Sequence, residues 1–452
     1  MVTQEVELPL SPTALVTRCA DLPGVFVLDG GDLRSWGTGE AIFGFAPRAT
    51  LRVSASGEAC MDDGEPRQWR GEPLDLLERF RAHGAALAQA SPQGGAVVAA
   101  LSYDLGRWLE PLRPARPDHT LPVLYAAFYD SLLRYSYADR HYRLSSARGP
   151  AELAAIASEL QARARLPSPL SHETVPGRVA VADWAKEEYL TALGAVLDYI
   201  AAGDVYQINL AQRFVVYDPP PPAALFEALQ RHTVPFGAYV DAGDFVLLSN
   251  SPECLLALHG NKLATFPIKG TRPRGADPDA DRERIRDLVQ SPKEQAEHLM
   301  IVDLERNDLG RICRTGSVRV RRLASVETFP TLHHLVSHIE GQLWPGTTLA
   351  QVLRALFPGG SITGAPKVRA MQIIDELEPV SRQFYTGAIG YVGLDGRAVF
   401  NLAIRTAIAT ADQLAYYAGG GIVADSVPSA EYEETLLKTG PFFTASSAVL
   451  RS

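Results

Sequence analysis

The stretch YVGLDGRAVF (391–400) decides the fold class. Short apolar runs flank Asp395-Gly396, and an Asp-Gly pair between such runs marks a tight β-hairpin. Working outward, VFVLDG (25–30), GAVVAALSY (95–103), GAYVDAGDFVLLSN (237–250) and AVFNLAIRTAIA (398–409) read as further strands. EEYLTALGAVLDYIAAG (187–203) and TTLAQVLRALF (347–357) carry apolar residues at helical spacing. Strands that follow one another through hairpin signals predict an α+β chain rather than regular βα alternation.

The 452 residues are 46% hydrophobic and 21% charged, enough apolar side chain for a large core and for two or three domains. RLPSPLSHETVPGR (165–178), rich in Pro and Ser, follows the helical AELAAIASELQARARL (151–166) and reads as a linker. It separates a portion ending near 165 from a larger one beginning near 180. No apolar run reaches the ~18 residues of a membrane span, and MVTQEVELPLSP (1–12) lacks the pattern of a signal peptide. A cytoplasmic protein without a membrane role is expected. Cys19, Cys60, Cys254 and Cys313 show no CxxC spacing and read as free thiols. A net charge of -9 disfavours nucleic acid as a partner. An anionic small substrate would need a local cationic cluster.

Several segments carry chemical possibilities. In FPIKGTRPRG (266–275), Lys269 stands between a proline-initiated turn and Gly270, where its amine is either a buried nucleophile or part of a solvated basic loop. SPKEQAEHLMIVDLERNDLGR (291–311) reads as a helix capped by Ser291, with Glu294 and Glu297 on one face. DSVPSAEYEETLLKTG (425–440) reads as a second helix, capped by Ser429 and carrying Glu431, Glu434 and Lys438 on one side. Such glutamates are either a solvated acidic face or, one from each helix, a seat for Mg²⁺. PGGSITGAPK (358–367) and YAGGGIVADS (417–426) are tight turns or backbone cradles for a carboxylate, and neither matches a phosphate loop or a dinucleotide fingerprint. HHLVSH (333–338) lacks the glutamate of a zinc helix, and strand alternation puts His334 and His338 on one face.

Taken together, these segments resemble the chorismate-utilising family that includes anthranilate, aminodeoxychorismate, isochorismate and salicylate synthases. The resemblance covers most of 180–448, through GDVYQINLAQRF, SNSPE, PIKGTRPRG, EHLMIVDLERNDLGR, HHLVS, PGGSITGAPK, YTGAIGY, AIRTA, GGGIVADS and EYEETLLK in family order. It implies antiparallel sheets in a sandwich flanked by helices, with an N-terminal region over 1–165 and a chorismate-binding catalytic domain over 180–452. The N-terminal match is looser, through ALSYDLGRWLE (100–110) and LPVLYAAFYD (121–130). Glu297 and Glu434 are implied to bind Mg²⁺, with Glu294 and Glu431 nearby. Tyr385, Arg405, Lys438, Thr363, Gly364 and the amides of Gly419, Gly420 and Gly421 are implied to bind chorismate. Glu253 is implied as general acid/base at the C4 hydroxyl, and His334 as a second proton-transfer or positioning group.

Two positions divide the family's reactions. Anthranilate synthases resemble PIAGT where this chain has PIKGT, as the aminodeoxychorismate branch does; Lys269 is then expected to attack C2 with loss of the C4 hydroxyl, before ammonia attacks C4 and expels the lysine. The expected product is 4-amino-4-deoxychorismate, a precursor of para-aminobenzoate and folate. Isochorismate and salicylate synthases carry a lysine base where this chain has Gln207, which disfavours water as the nucleophile. The alternatives are an anthranilate or 2-amino-2-deoxyisochorismate synthase, and a non-catalytic chorismate-binding or amidotransferase-docking protein. No cysteine has the GxCxG context of a glutaminase, so a separate glutamine amidotransferase is expected to supply ammonia. The chain ends at Ser452, so a pyruvate-releasing lyase is expected to be another protein. The tryptophan-sensing LLES pattern of anthranilate synthases is absent from VFVLDGGDLRSW (25–36), which makes tryptophan inhibition doubtful.

Overall fold

In the structure, a computed structural model that describes residues 2–31, 38–88, 95–113, 120–167, 178–230, 234–329 and 332–451, the Asp395-Gly396 pair closes its hairpin. Strands Ala388–Gly393 and Ala398–Asn401 run antiparallel, and Gly396 turns the chain at a φ of 82°. Residues 168–177 of the linker and 32–36 of VFVLDGGDLRSW lie outside the described residues.

Among the described residues the strands form two sheets, one of 13 strands and one of 12. Each contains strands from both sides of the linker. In the larger, Phe26–Asp29 pairs with Phe236–Asp241; in the smaller, Ala96–Leu101 pairs with Ala388–Gly393. Among the described residues the pairings are antiparallel apart from Arg178–Ala182 against Ala448–Leu450. The two portions read from the sequence are therefore interleaved in both sheets.

Why the sheets stack follows from residue alternation along the strands. Ala96, Val98 and Ala100 join a core with Ala238, Val240 and Leu247 of the other sheet, while Val97, Ala99 and Leu101 face the opposite way. On the shared faces these small and branched side chains pack with aromatics such as Tyr125 and Phe245, which fills the layer between the two sheets of the sandwich. The outer face of the smaller sheet is covered by helices Pro73–Leu87, Pro292–Gly310 and Leu349–Leu356, through Leu77, Phe80, Val302 and Leu353. Helices Pro12–Cys19, Pro150–Arg165, Pro222–Leu229 and Pro428–Ser446 cover the other sheet. Each buried Leu or Phe contributes roughly 1.5–3 kcal/mol. This is the α+β chain that the hairpin signals predict, in the sandwich flanked by helices that the family resemblance implies.

Two expectations need correction. AVFNLAIRTAIA is not one strand but two, Ala398–Asn401 and Thr406–Ala409, because the backbone turns over at Arg405, whose φ is 48°. The second acidic helix begins at Pro428, so Ser429 lies inside its first turn rather than capping it. Proline, lacking an N–H, suits the first helical position. The same helix runs beyond 440 through Pro441, beneath the exposed Leu437, where solvent can meet the carbonyl that proline leaves unpaired.

Arg382, among the largest fully buried side chains, ties the sheet to the glycine-rich turn. It donates to both carboxylate oxygens of Glu378, to the Asn209 carbonyl at 2.6 Å and to the Ile362 carbonyl at 3.0 Å. Glu378 in turn accepts from the Ala211 amide at 2.9 Å. Removing the cation strands a buried carboxylate, so Arg382→Ala should cost about 3–5 kcal/mol. A urea titration should show that loss, and the double variant Arg382→Met with Glu378→Gln should recover part of it.

Candidate active site

Lys269 lies in strand Ile268–Pro273, which pairs with Leu332–Gln342. The expected turn is a bulge within this strand: the register shifts between Lys269 and Thr271, and Gly270 takes a φ of 72°. A bulge re-aims the neighbouring side chains. A Cβ at Gly270 would lie 2.8 Å from Leu288 Cδ1 and 3.1 Å from Glu294 Oε2, so only glycine fits. The Lys269 amine points to the glycine-rich strand Gln413–Ile422, with Nζ 3.2 Å from the point a Cβ on Gly421 would occupy. Burial holds this amine below its usual lysine value, Lys438 adds to the effect, and Glu297, Glu253 and Glu434 oppose it. It is thus drawn toward the neutral, nucleophilic form.

The two acidic helices supply the facing carboxylates. Ser291 caps the first by accepting from the Glu294 amide at 3.4 Å. Glu294 is paired with Arg272 at 3.1 Å. Glu297, one turn on, is half-buried, and burial raises its pKa against the pull of Lys269 and Lys293. On the second helix, Glu431 is buried and accepts from Ser426 at 2.6 Å. Glu434 and Lys438 pair at 2.7 Å, and the Lys438 ammonium also donates to the Gly419 carbonyl at 2.7 Å. Burial works to raise the Glu434 pKa, but Lys438, Lys269 and Lys293 together outweigh it and the net shift is downward. A Cβ on Gly420 would lie 3.2 Å from Glu431 Oε2 and 3.8 Å from Glu434 Oε1, so the strand must be bare there for these carboxylates to face it. Among the described residues no three His, Cys, Asp or Glu side chains form a ready metal cage. One or two carboxylate oxygens from each helix are nevertheless the hard donors Mg²⁺ takes when ligand and water oxygens complete its shell.

On the other side of Lys269 stands Glu253, 5% exposed, accepting from the Ser361 hydroxyl at 2.8 Å. Burial pushes its pKa up to about 7, while Ser361, Lys269 and Arg405 hold it from going higher. His334, also buried, donates from Nδ1 to the Gly270 carbonyl at 3.1 Å, because a carbonyl can only accept. Nε2 is therefore a bare acceptor, and it has no hydrogen-bond partner. Burial, reinforced by Arg405, pushes the His334 pKa down to about 3, so the ring is neutral.

The remaining implied residues differ in what they can offer. Arg405 is held in its left-handed backbone by the Asn250 amide, and burial lowers its pKa against the opposing effect of Tyr416 and Glu253. Tyr385 stacks on Tyr417 with ring centroids 5.2 Å apart. Thr363 spends its hydroxyl on the Gly359 and Gly360 carbonyls. Gly364 pairs with Ile208, and a Cβ there would strike the Gln207 carbonyl, so its role in the fold is close strand approach. Gly419 likewise sits against Leu210 and Ala211. Sequence reading missed Ser361, Ser426 and Thr271, which bond Glu253, Glu431 and His334. Each lies in or beside a quoted motif, but a lone hydroxyl residue in a turn carries no signal of its partner.

A half-buried lysine amine, two acidic helices, a protonatable buried glutamate and a bare glycine strand thus face one another in the structure. The chain belongs to the chorismate binding enzymes, whose family model matches residues 28–444. It is similar to aminodeoxychorismate synthase component 1 of Klebsiella aerogenes, 41% identical over 401 residues and covering 87% of each chain. It is also similar to anthranilate synthase component 1 of Pseudomonas aeruginosa, 36% identical over 458 residues, covering 96% of this chain and 92% of that one. The crystal structure of anthranilate synthase component I from Streptococcus pneumoniae TIGR4 superimposes with a TM-score of 0.79 at 28% identity, covering 91% of this chain and 93% of that chain.

Because the folded-state pKa of Glu253 lies above its unfolded value, the wild type loses stability as pH rises from about 4.5 through about 7. Glu253→Gln does not carry this dependence. Between pH 4 and pH 8, denaturant titrations should show the wild type losing ground to the variant by roughly 3 kcal/mol.

Proposed function

We propose that this chain aminates chorismate at C4, as an aminodeoxychorismate synthase component 1. The observation that carries the reading is the amine of Lys269, drawn toward neutrality between Glu253 on one side and Glu297 on the other. Amination at C2 by ammonia alone would leave that amine without a task. Relatives named aminodeoxychorismate synthase component 1 at 38–43% identity support the same choice.

The steps follow from the groups present. Arg405, Lys438 and the amides of the glycine strand bind the substrate's carboxylates and enolpyruvyl group, giving the local cationic cluster that a chain of net charge -9 needs. Glu297 and Glu434 would hold Mg²⁺, with Glu294 and Glu431 beside them; when bound, the ion supplies positive charge for the ring carboxylate. The neutral Lys269 amine attacks C2, the ring double bond shifts, and the C4 hydroxyl leaves as water with a proton from Glu253. Ammonia then attacks C4, the double bond shifts back, and the lysine amine departs from C2. Glu253, ionised by the first step, recovers a proton from the incoming nitrogen. A pKa of about 7 suits a group that must both give and take a proton near neutrality. His334, neutral and with Nε2 bare, positions a substrate hydroxyl as an acceptor rather than moving a proton. Ammonia comes from a separate glutamine amidotransferase, the partner that a component 1 implies, in the cytoplasm.

Incubation with chorismate, Mg²⁺ and ammonium at high pH should give 4-amino-4-deoxychorismate, read as para-aminobenzoate after a lyase is added. Anthranilate as the sole product would refute the assignment. Lys269→Ala should abolish that product or divert it to the C2-amino compound, and Glu253→Gln should lower kcat by roughly 10²-fold or more. Chorismate without ammonia should leave a mass adduct on Lys269; an unmodified lysine under single-turnover conditions would count against the covalent step.

A further inference from the structure

Strand Gln207–Tyr217 of the larger sheet puts alternate side chains on opposite faces. Ile208 and Leu210 pack with helices Lys186–Ala201 and Lys367–Leu377, through residues such as Val196 and Ile374, whereas Ala211 lies in the layer between the sheets. Gln207 and Asn209 share the face of Ala211, and Lys269 reaches the same layer from the smaller sheet. Opposite Asn209 in the register stands Gly421, and directly opposed residues turn their side chains to one face. A Cβ on Gly421 would lie 2.8 Å from Gln207 Nε2 and 3.2 Å from Lys269 Nζ. Two carboxamides and the reacting amine are thus grouped about one bare glycine.

What sets this group apart is how much of it is left unbonded. Gln207 is fully buried, and neither atom of its carboxamide has a hydrogen-bond partner. Asn209 is 8% exposed, and its Oδ1 has no partner either. Its backbone, by contrast, is fully engaged: the amide donates to the Thr363 carbonyl, and the carbonyl accepts from Arg382. A buried acceptor left unmet is costly, and a ligand that donates to it removes the cost. The steps above give neither side chain a task.

The second displacement says what that ligand is. C2 and C4 are one ring carbon apart, so the nucleophile for C4 must stand close to the amine that has bonded C2. Ammonia has three N–H groups and one lone pair, and acceptors can hold it by the N–H groups without consuming the pair. We propose that Asn209 holds the incoming ammonia, its Oδ1 accepting one N–H while Gln207 Oε1, two residues along the same face, accepts another. The lone pair is then free to face C4. A neutral amide oxygen suits this task better than a carboxylate, which would favour ammonium, a species with no lone pair to give. The proposal rests on the amination reading.

The test uses the whole chain with chorismate and ammonium chloride, and follows both turnover and the adduct on Lys269. Asn209→Leu keeps the backbone bonds and most of the bulk while removing the acceptor. It should raise KM for ammonium roughly fivefold, the effect of one hydrogen bond, and leave KM for chorismate unchanged. With chorismate alone the variant should form the adduct as fast as the wild type does, and added ammonium should clear that adduct more slowly. If Asn209→Leu fails to fold, Asn209→Ala decides by the same readings. An unchanged KM for ammonium would mean that ammonia is held elsewhere, and a rise in KM for chorismate would put the Asn209 side chain on the substrate; either result overturns the proposal. A wild-type chain that forms neither adduct nor 4-amino product refutes the amination reading, and the role of Asn209 falls with it, whereas normal wild-type turnover with an unaltered variant refutes that role alone.

Discussion

The buried guanidinium of Arg382 ties a central strand, a glycine-rich turn and a helix end together at one point. Strand Gln207–Tyr217, the turn around Ile362 and the end of helix Lys367–Leu377 all present groups that must be satisfied away from water. A planar donor with several N–H groups meets these demands at once, where an ammonium could not match the geometry. The carboxylate of Glu378 completes the pairing and extends it to the Ala211 amide. Burying two charges is expensive, and the surrounding hydrogen bonds are what offset that cost. The consequence is positional: Thr363 and Ser361, hence the hydroxyl that holds Glu253, are fixed relative to the strand that bears Gln207.

Electrostatics explains how an acidic chain can bind a dianion. The overall charge is negative, but at the site Lys269 and Arg405 are shielded from solvent, where charges are felt more strongly, and the exposed Lys438 adds a further cation beside Glu434. The same shielding separates the roles of the ionisable groups. Desolvation lifts Glu253 into the neutral range, depresses Lys269, and holds His334 neutral. Glu434 escapes because Lys438 is in direct contact with it. One physical cause, opposed to different degrees by neighbours, thus raises a carboxyl, lowers an amine and keeps an imidazole neutral within one pocket.

Much of this was legible in the residues. The Asp395-Gly396 hairpin, the capped helix after Ser291 and the grouping of glutamates on two helix faces follow from local rules of turn chemistry and helical period, and the structure contains them. Lys269 was visible as a special position through Gly270, although the bulge that orients it depends on pairing with Leu332–Gln342, far along the chain. Arg405 could not be read as a break in its strand, since arginine has no preference for a left-handed backbone and tertiary contacts impose it. Arg382 gave no signal at all. A lone arginine in a turn reads as solvated until the carbonyls around it are known. The interleaving of both sheets was equally hidden, because strand order is set by nonlocal burial rather than by any segment's own pattern.

That interleaving shapes how the molecule must be made. Leu101 finds its partner in Ala388, and Phe26 in Gly44 and Val240, so neither sheet closes until most of the chain has left the ribosome. At synthesis speeds of ~5–20 residues per second, apolar strands such as AVVAAL wait on the order of tens of seconds with an open edge. Exposed edges of that kind invite pairing with other nascent chains. Demand on chaperones during translation is therefore built into the topology, and cutting the gene at the linker would yield two fragments that each lack strands the other holds.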